Sequence, residues 1–231
     1  MSKIEEIKKD LKQLELQLEQ EGSQEMRKPF WRVVGRIKRL HDPPDDIIEQ
    51  ATKIRNKLFD ERYKVVVSTP IGLLLNGTGF AICLISLIYF LSLNPPDPFA
   101  PLVVLFLELM IVLYFSYPFC RLVGGFVSGI GFEGFYNYTP GEVSLKIEYS
   151  SYLKAGSIKR QYFFFTTFLC EMILSVLLVV LTWVLAPQIV YMPIIISFGM
   201  LLFYLGLFRI ETGELIRFWR ERRIIAEMRQ G

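Results

Sequence analysis

The sequence predicts an all-α polytopic membrane protein: four transmembrane helices, an N-terminal cytoplasmic helical region and a small cytoplasmic β-hairpin insertion. Three observations predict it. All 26 Lys and Arg residues fall within 1–64, 121–160 and 209–229, and basic residues accumulate in short cytoplasmic segments beside membrane spans. The stretches between are apolar: Val65 to Leu93 carries no charge, Phe99 to Cys120 only Glu108, Tyr162 to Tyr191 only Glu171, and Met192 to Phe208 none. Each reaches across roughly 30 Å of hydrocarbon, the last by borrowing residues from Pro187–Tyr191. Finally, the 231 residues are 52% hydrophobic with a mean hydropathy of +0.36, yet apolar and polar residues lie in blocks and are not interleaved as in one soluble domain.

The spans are expected at about 66–93, 100–120, 162–186 and 189–208, with 121–161 as a cytoplasmic insertion and 209–231 as a basic cytoplasmic tail helix. Both termini then lie in the cytoplasm, and the plasma membrane is the expected location. Loops 94–101 and 187–190 remain outside, and neither holds a Lys or Arg. The first 28 residues are charged and polar, so no cleavable signal peptide is expected. The net charge of +3 sits on the cytoplasmic side, which favours contact with anionic lipid headgroups. No nucleic-acid fold signature accompanies these basic patches, and no nucleic-acid partner is expected.

Within the helical region 1–64, Ile4, Ile7, Leu11, Leu14 and Leu18 repeat at intervals of 3, 4, 3 and 4. This spacing places them on one seam of a short coiled coil over 1–21. It runs about two and a half heptads, and three partners stay open: a second copy, another protein, or the rest of this chain. Gly22 and Ser23 end it. Pro29 suits the first turn of a second helix, with Phe30, Val33, Val34, Ile37 and Leu40 on one side and Arg32, Arg36 and Arg39 opposite. Such a helix lies either in the lipid interface or on the surface of a small domain. Arg217, Arg220, Arg222 and Arg223 give the tail helix the same lipid-facing chemistry. After His41–Pro44 breaks the chain, Asp45 is placed to cap a third helix whose apolar side is Ile47, Ile48, Ala51, Ile54 and Leu58.

The first span contains Gly72, Asn76, Gly77, Thr78 and Gly79, small residues that permit close helix approach. Beyond the second span, Gly124, Gly125, Gly129, Gly131 and Gly134 are too many for an independent helix. Val143, Leu145, Ile147 and Tyr149 then alternate with Ser144, Lys146, Glu148 and Ser150, the period of a half-buried strand. With a turn at Thr139–Glu142, a hairpin of 135–138 and 143–149 is predicted. Cys83, Cys120 and Cys170 all fall in or at the ends of spans, where they read as small packing residues.

Chemistry is sparse. The single histidine, His41, lies in a polar linker, so a His-containing metal site, a Ser/His/Asp triad or a Cys/His dyad has no basis. No phosphate-cradling loop is present, and no metal, cofactor or catalytic residue is expected. Glu108 and Glu171 remain. Counted from the inner ends of their spans, they lie roughly 18 Å and 15 Å deep, at similar level. An ionisable group there costs about 2.5 kcal/mol or more and points to function. Two such carboxylates in contact share a proton or bind a cation. The structural alternative pairs each with a polar group such as Asn76 or Thr78 and holds helices in register.

The order of a span ending in Tyr117-Pro118-Phe119-Cys120-Arg121, a glycine-rich turn, a cytoplasmic hairpin, the stretch 145–161 and a further span resembles the core layout of site-2-type intramembrane metalloproteases. It is similar also to uncharacterised archaeal membrane proteins of this layout. The resemblance covers about 75 residues and rests on layout. Tyr117 and Arg121 stand where that family's zinc-ligating histidines would be and Pro118 where its catalytic glutamate would be, so the resemblance implies a lost metal site and no hydrolysis by that mechanism. Three functions follow: a non-enzymatic membrane anchor or scaffold for a cytoplasmic assembly, working through 1–64 by partner binding or self-association; a small proton- or cation-coupled transporter or channel subunit built on Glu108 and Glu171; and an inactive protease-like substrate-binding protein.

Overall fold

The N-terminal seam finds its partners within the chain. In the computed structural model, which describes residues 2–21, 23–61, 63, 65–93, 99–139, 142–185 and 213–230, the chain divides into two units. The first comprises Met1–Thr69, Ser128–Tyr162 and Trp219–Gly231, and the second Pro70–Val127 and Phe163–Phe218.

In the first unit, α1 (Lys3–Glu21) lies against α2 (Ser23–Ile37) and α3 (Asp45–Asp60). Ile7, Leu11, Leu14 and Leu18 are buried there, together with Phe30, Val33, Val34 and Ile37 of α2 and all five apolar residues expected on α3. Each such side chain contributes about 1.5–3 kcal/mol by leaving water. Ile4, at 36% exposed, sits at the edge. The coiled-coil expectation is therefore corrected: α1 spends its seam on its own chain, and the Arg-bearing helix α2 is a surface helix of this domain. Pro29 falls inside α2, not in its first turn. Asp45 is the first helical residue of α3 and not its cap; the cap position is Pro44, without a side-chain hydrogen bond. Asp45 and Asp46 instead favour the positive end of the helix dipole.

A three-stranded antiparallel sheet joins them, in the order β1 (Val65–Ser68), β2 (Phe132–Thr139), β3 (Glu142–Ile147). The hairpin was expected; β1 was not, because its apolar residues continue into the first span. Val67 pairs with Phe135 and Phe135 with Leu145. Lys146, expected on the open face, is 5% exposed and bonded to Glu133 and Asp60 over the Phe59 ring. Tyr149 begins the short helix α6 (Tyr149–Lys154) instead of ending the strand.

The second unit holds most of α4 (Thr69–Ser92), α5 (Phe99–Ser128) and α7 (Gly156–Leu185), and the first turn of α8 (Glu214–Gln230). Two segments, Thr69–Phe90 and Gly156–Leu178, are long and apolar enough to cross a membrane, and only 17% and 33% of their most apolar stretches is buried. Core helices of a soluble protein are buried far more fully. Ile71, Leu74, Ile82 and Ile85 on α4 and Ile173, Leu177 and Val180 on α7 stay exposed. Of the other expected spans, 100–120 falls in α5, where the side chains of 99–110 lie outside the described set, and 189–208 lies outside the described residues.

The glycine-rich stretch does not break α5, which runs eight residues past the expected end at 120. Gly124 explains why a helix is retained there. A Cβ on it would meet Thr167 Oγ1 at 2.5 Å and the Phe163 carbonyl at 2.7 Å, so its lack of side chain is what lets α7 pack so closely. Gly129, with φ of +71°, ends the helix in the left-handed region.

Candidate functional site

Tyr117 and Arg121 are one turn apart on α5 and project from the same face. Close packing at Gly124 sets the antiparallel register: Gly124 meets Phe163 and Thr167, the Cys120 thiol lies beside that of Cys170, and Tyr117 lies within electrostatic reach of Glu171. All three cysteines are free thiols. The first residue of α8, Glu214, completes the cluster. Its Oε1 accepts the Tyr117 hydroxyl at 2.9 Å and faces Arg121 Nε at 3.5 Å and Arg217 at 3.6 Å. Arg121 also lies over the Tyr117 and Phe163 rings. Glu171 has Glu214 and Arg121 as its charged neighbours.

Burial is nearly complete: Glu171 is 3% exposed, Glu214 2% and Arg121 4%. Two oxygens are nonetheless left over. Glu171 Oε1 and Glu214 Oε2 are buried without a hydrogen-bond partner among the described residues, an arrangement that native interiors avoid unless it serves a purpose.

Several sequence expectations are redirected here. Asn76 donates to the Phe115 carbonyl and Thr78 to the Leu74 carbonyl, and among the described residues neither is bonded to Glu171. The side chain of Glu108 lies outside the described set. Its place on α5 is 16 residues before Gly124, roughly 24 Å, whereas Glu171 is four residues beyond Thr167, roughly 6 Å, so the two glutamates are not level. The expected equality failed because both inner ends were misjudged, chiefly that of α5. Sequence reasoning passed over Glu214, whose signal was present: an acidic residue opening a helix whose other charges are five arginines and two glutamates.

A second polar cluster lies in the first unit around Glu221 of α8, which is 1% exposed. Lys38 Nζ donates to its Oε1 at 2.5 Å and to the Tyr152 hydroxyl at 2.6 Å; the Tyr152 hydroxyl donates to Oε1 at 3.1 Å. Arg160 Nε donates to Oε2 at 2.9 Å, and the remaining guanidinium nitrogens reach the carbonyls of Tyr152 and Leu153 and the Ser157 hydroxyl. Burial pushes Glu221 upward, but Lys38 and Arg160 together hold it below the usual carboxylate range. Burial also pulls Lys38 down to about 8, since Arg160 opposes its charge and one carboxylate serves two cations.

The arginines expected to face lipid are partly occupied within the chain. Arg36 pairs with Asp10 and Glu6, Arg39 with Glu227, and Arg217 with Glu214 and the Phe164 ring. Arg32, Arg220, Arg222 and Arg223 are exposed, Arg222 lying over Trp219. Among the described residues no group of three His, Cys, Asp or Glu side chains converges as a metal site would require.

No family model, no curated protein and no solved structure matches this chain. Function therefore rests on these two clusters and on the distribution of apolar surface.

Proposed function

We propose that this protein is a non-enzymatic integral membrane anchor that presents its first unit to a cytoplasmic assembly, both termini lying on that side. One observation carries the reading: apolar side chains line the outside of α4 and α7, whereas the first unit closes a core of its own beneath a charged surface. Exposed apolar rows of that extent are stable in lipid and not in water. Because the α1 seam is internal, the docking surface is assigned to the outward charged face of α1, with Lys9 and Lys12 exposed on it.

Cross-linking in native membranes tests this. A discrete partner band should be captured from cysteines placed on the α1 outer face. The band should weaken when Lys9 and Lys12 are both changed to Glu, and persist in Glu171→Gln. Release of the chain by alkaline extraction, or no adduct from any α1 position, would overturn the anchor reading.

A further inference from the structure

The two orphaned oxygens of the Glu171–Glu214 cluster define a site that the anchor reading does not use. Among the described residues the contacts of Glu214 gather on one oxygen: Tyr117 donates to Oε1, and Arg121 and Arg217 form ion pairs with it at 3.5 and 3.6 Å. Glu171 meets a different field. Among the described residues the titratable groups within electrostatic reach of it are Tyr117, Cys120 and Arg121 from α5 and Glu214 from α8, with Cys170 beside it on its own helix. Arg121 is the single cation among them, and it is already engaged by Glu214. Among the described residues a second buried carboxylate charge there has no counter-ion of its own and, at Oε1, no hydrogen bond. Like charges in so enclosed a place do not both ionise at neutral pH.

We propose that Glu171 is a proton-binding site, holding one exchangeable proton on its carboxyl beside Glu214 and Arg121. Binding is a simple addition: a proton joins a Glu171 carboxylate oxygen and gives a neutral acid, and its release restores the anion. No other bond forms or breaks. As an O–H donor the protonated group can also supply the hydrogen bond that an orphaned Glu214 Oε2 needs. The site is independent of the docking surface on α1, so either can fail alone.

Infrared difference spectroscopy of the full chain in lipid vesicles tests the site. At neutral pH the wild type should show the carbonyl stretch of a protonated, water-excluded carboxylic acid, shifted in heavy water and disappearing as pH is raised. Glu171→Gln should abolish that band with thermal stability retained, and Glu108→Gln should leave it. Glu214→Gln should move its disappearance to lower pH, because the neighbouring negative charge is gone; this second variant keeps the test decisive where the first does not fold. A wild type without the band, a band that survives Glu171→Gln, or one lost in Glu108→Gln would overturn the proposal. Displacement of the band by sodium or potassium ions at constant pH would overturn it in favour of a metal-cation site.

Discussion

Glu221 and Glu214 lie two turns apart on α8, and the surroundings of each belong to a different unit. Both are buried, and both attract two cations and a tyrosine hydroxyl. The difference lies in how the donors are spread. Around Glu221 they reach both oxygens, and the cations' remaining nitrogens find carbonyls and a hydroxyl, so the network is closed. Around Glu214 one tyrosine donor and two ion-paired arginines gather on one oxygen, a second glutamate lies nearby, and among the described residues two acceptors are left over. Composition alone does not separate a structural ion cluster from a site able to take up a ligand; completeness of hydrogen bonding does.

The largest effect expected from this contrast is at the closed network. Glu221→Ala strands two buried cations and should cost about 3–5 kcal/mol, as breaking one side of a buried pair does. Thermal unfolding in detergent measures it, and the contrast with Glu171→Gln is the informative quantity. That change keeps shape and should cost near zero to about 1 kcal/mol. Equal losses would erase the distinction between the clusters.

Gly124→Ala attacks the packing that aligns Glu171 with Tyr117 and Arg121. Thr167 Oγ1 cannot swing away freely, because it is bonded at 2.9 Å to the same Phe163 carbonyl that the new methyl would strike. A loss of about 1–3 kcal/mol is expected. Gly77→Ala, where the nearest atom is the end of the Phe119 ring at 3.4 Å, should be tolerated. A mild Gly124→Ala would show that the two helices separate easily.

The closed network should also respond to pH in two windows. Since the fold holds Glu221 below its usual 4.5, the unfolded chain binds more protons there. The stability Glu221 adds is therefore present above pH 4.5 and lost as pH falls below it. Lys38 obeys the same sign at the alkaline end. Between about 8 and 10.5 the folded chain has shed a proton that the unfolded one keeps, so stability gains from this group as pH rises. Neither slope exceeds about 1.4 kcal/mol per pH unit. Melting temperatures across pH for wild type, Glu221→Gln and Lys38→Met would show the two windows vanish separately; slopes unchanged by either substitution would contradict the assignment.

Smallest of all is the exposed pair of Arg39 and Glu227 at 2.7 Å. A double-mutant cycle should return about 0.2–1 kcal/mol, less in high salt.

Legibility in the sequence followed the kind of information each pattern carries. The apolar side of α3 was read completely, because a 3.6-residue period says which face is buried. The same period at Ile7, Leu11, Leu14 and Leu18 named the buried face of α1 but not what covers it, and the cover is α2 and α3. Val65–Ser68 was hidden because three valines and a serine running into a longer apolar helix carry no period of their own. Lys146 misled because alternation assumes one wet face, and here Asp60 and Phe59 of α3 lie over it. Glu171 was found from cost alone, since a charge in an apolar run stands out. Its partner was not, because pairing depends on helix ends, and α5 ends eight residues later than its hydropathy suggests.

The closed network around Glu221 has a dimension in time. Lys38 and Glu221 are 183 residues apart, and Arg160 precedes Glu221 by 61. At a synthesis rate of about 5–20 residues per second, Lys38 leaves the ribosome on the order of ten to forty seconds before its carboxylate. For the last third of that interval, once Arg160 has also been made, the nascent first unit holds both cations without the Glu221 carboxylate to place between them, and the network cannot close. A message truncated before α8 would keep it in that state permanently, with the seat of Ile224 also empty. Helix α8 thus supplies the charge that closes this cluster, and a copy lacking it is chemically distinguishable from one that carries it by any protease that samples open domains.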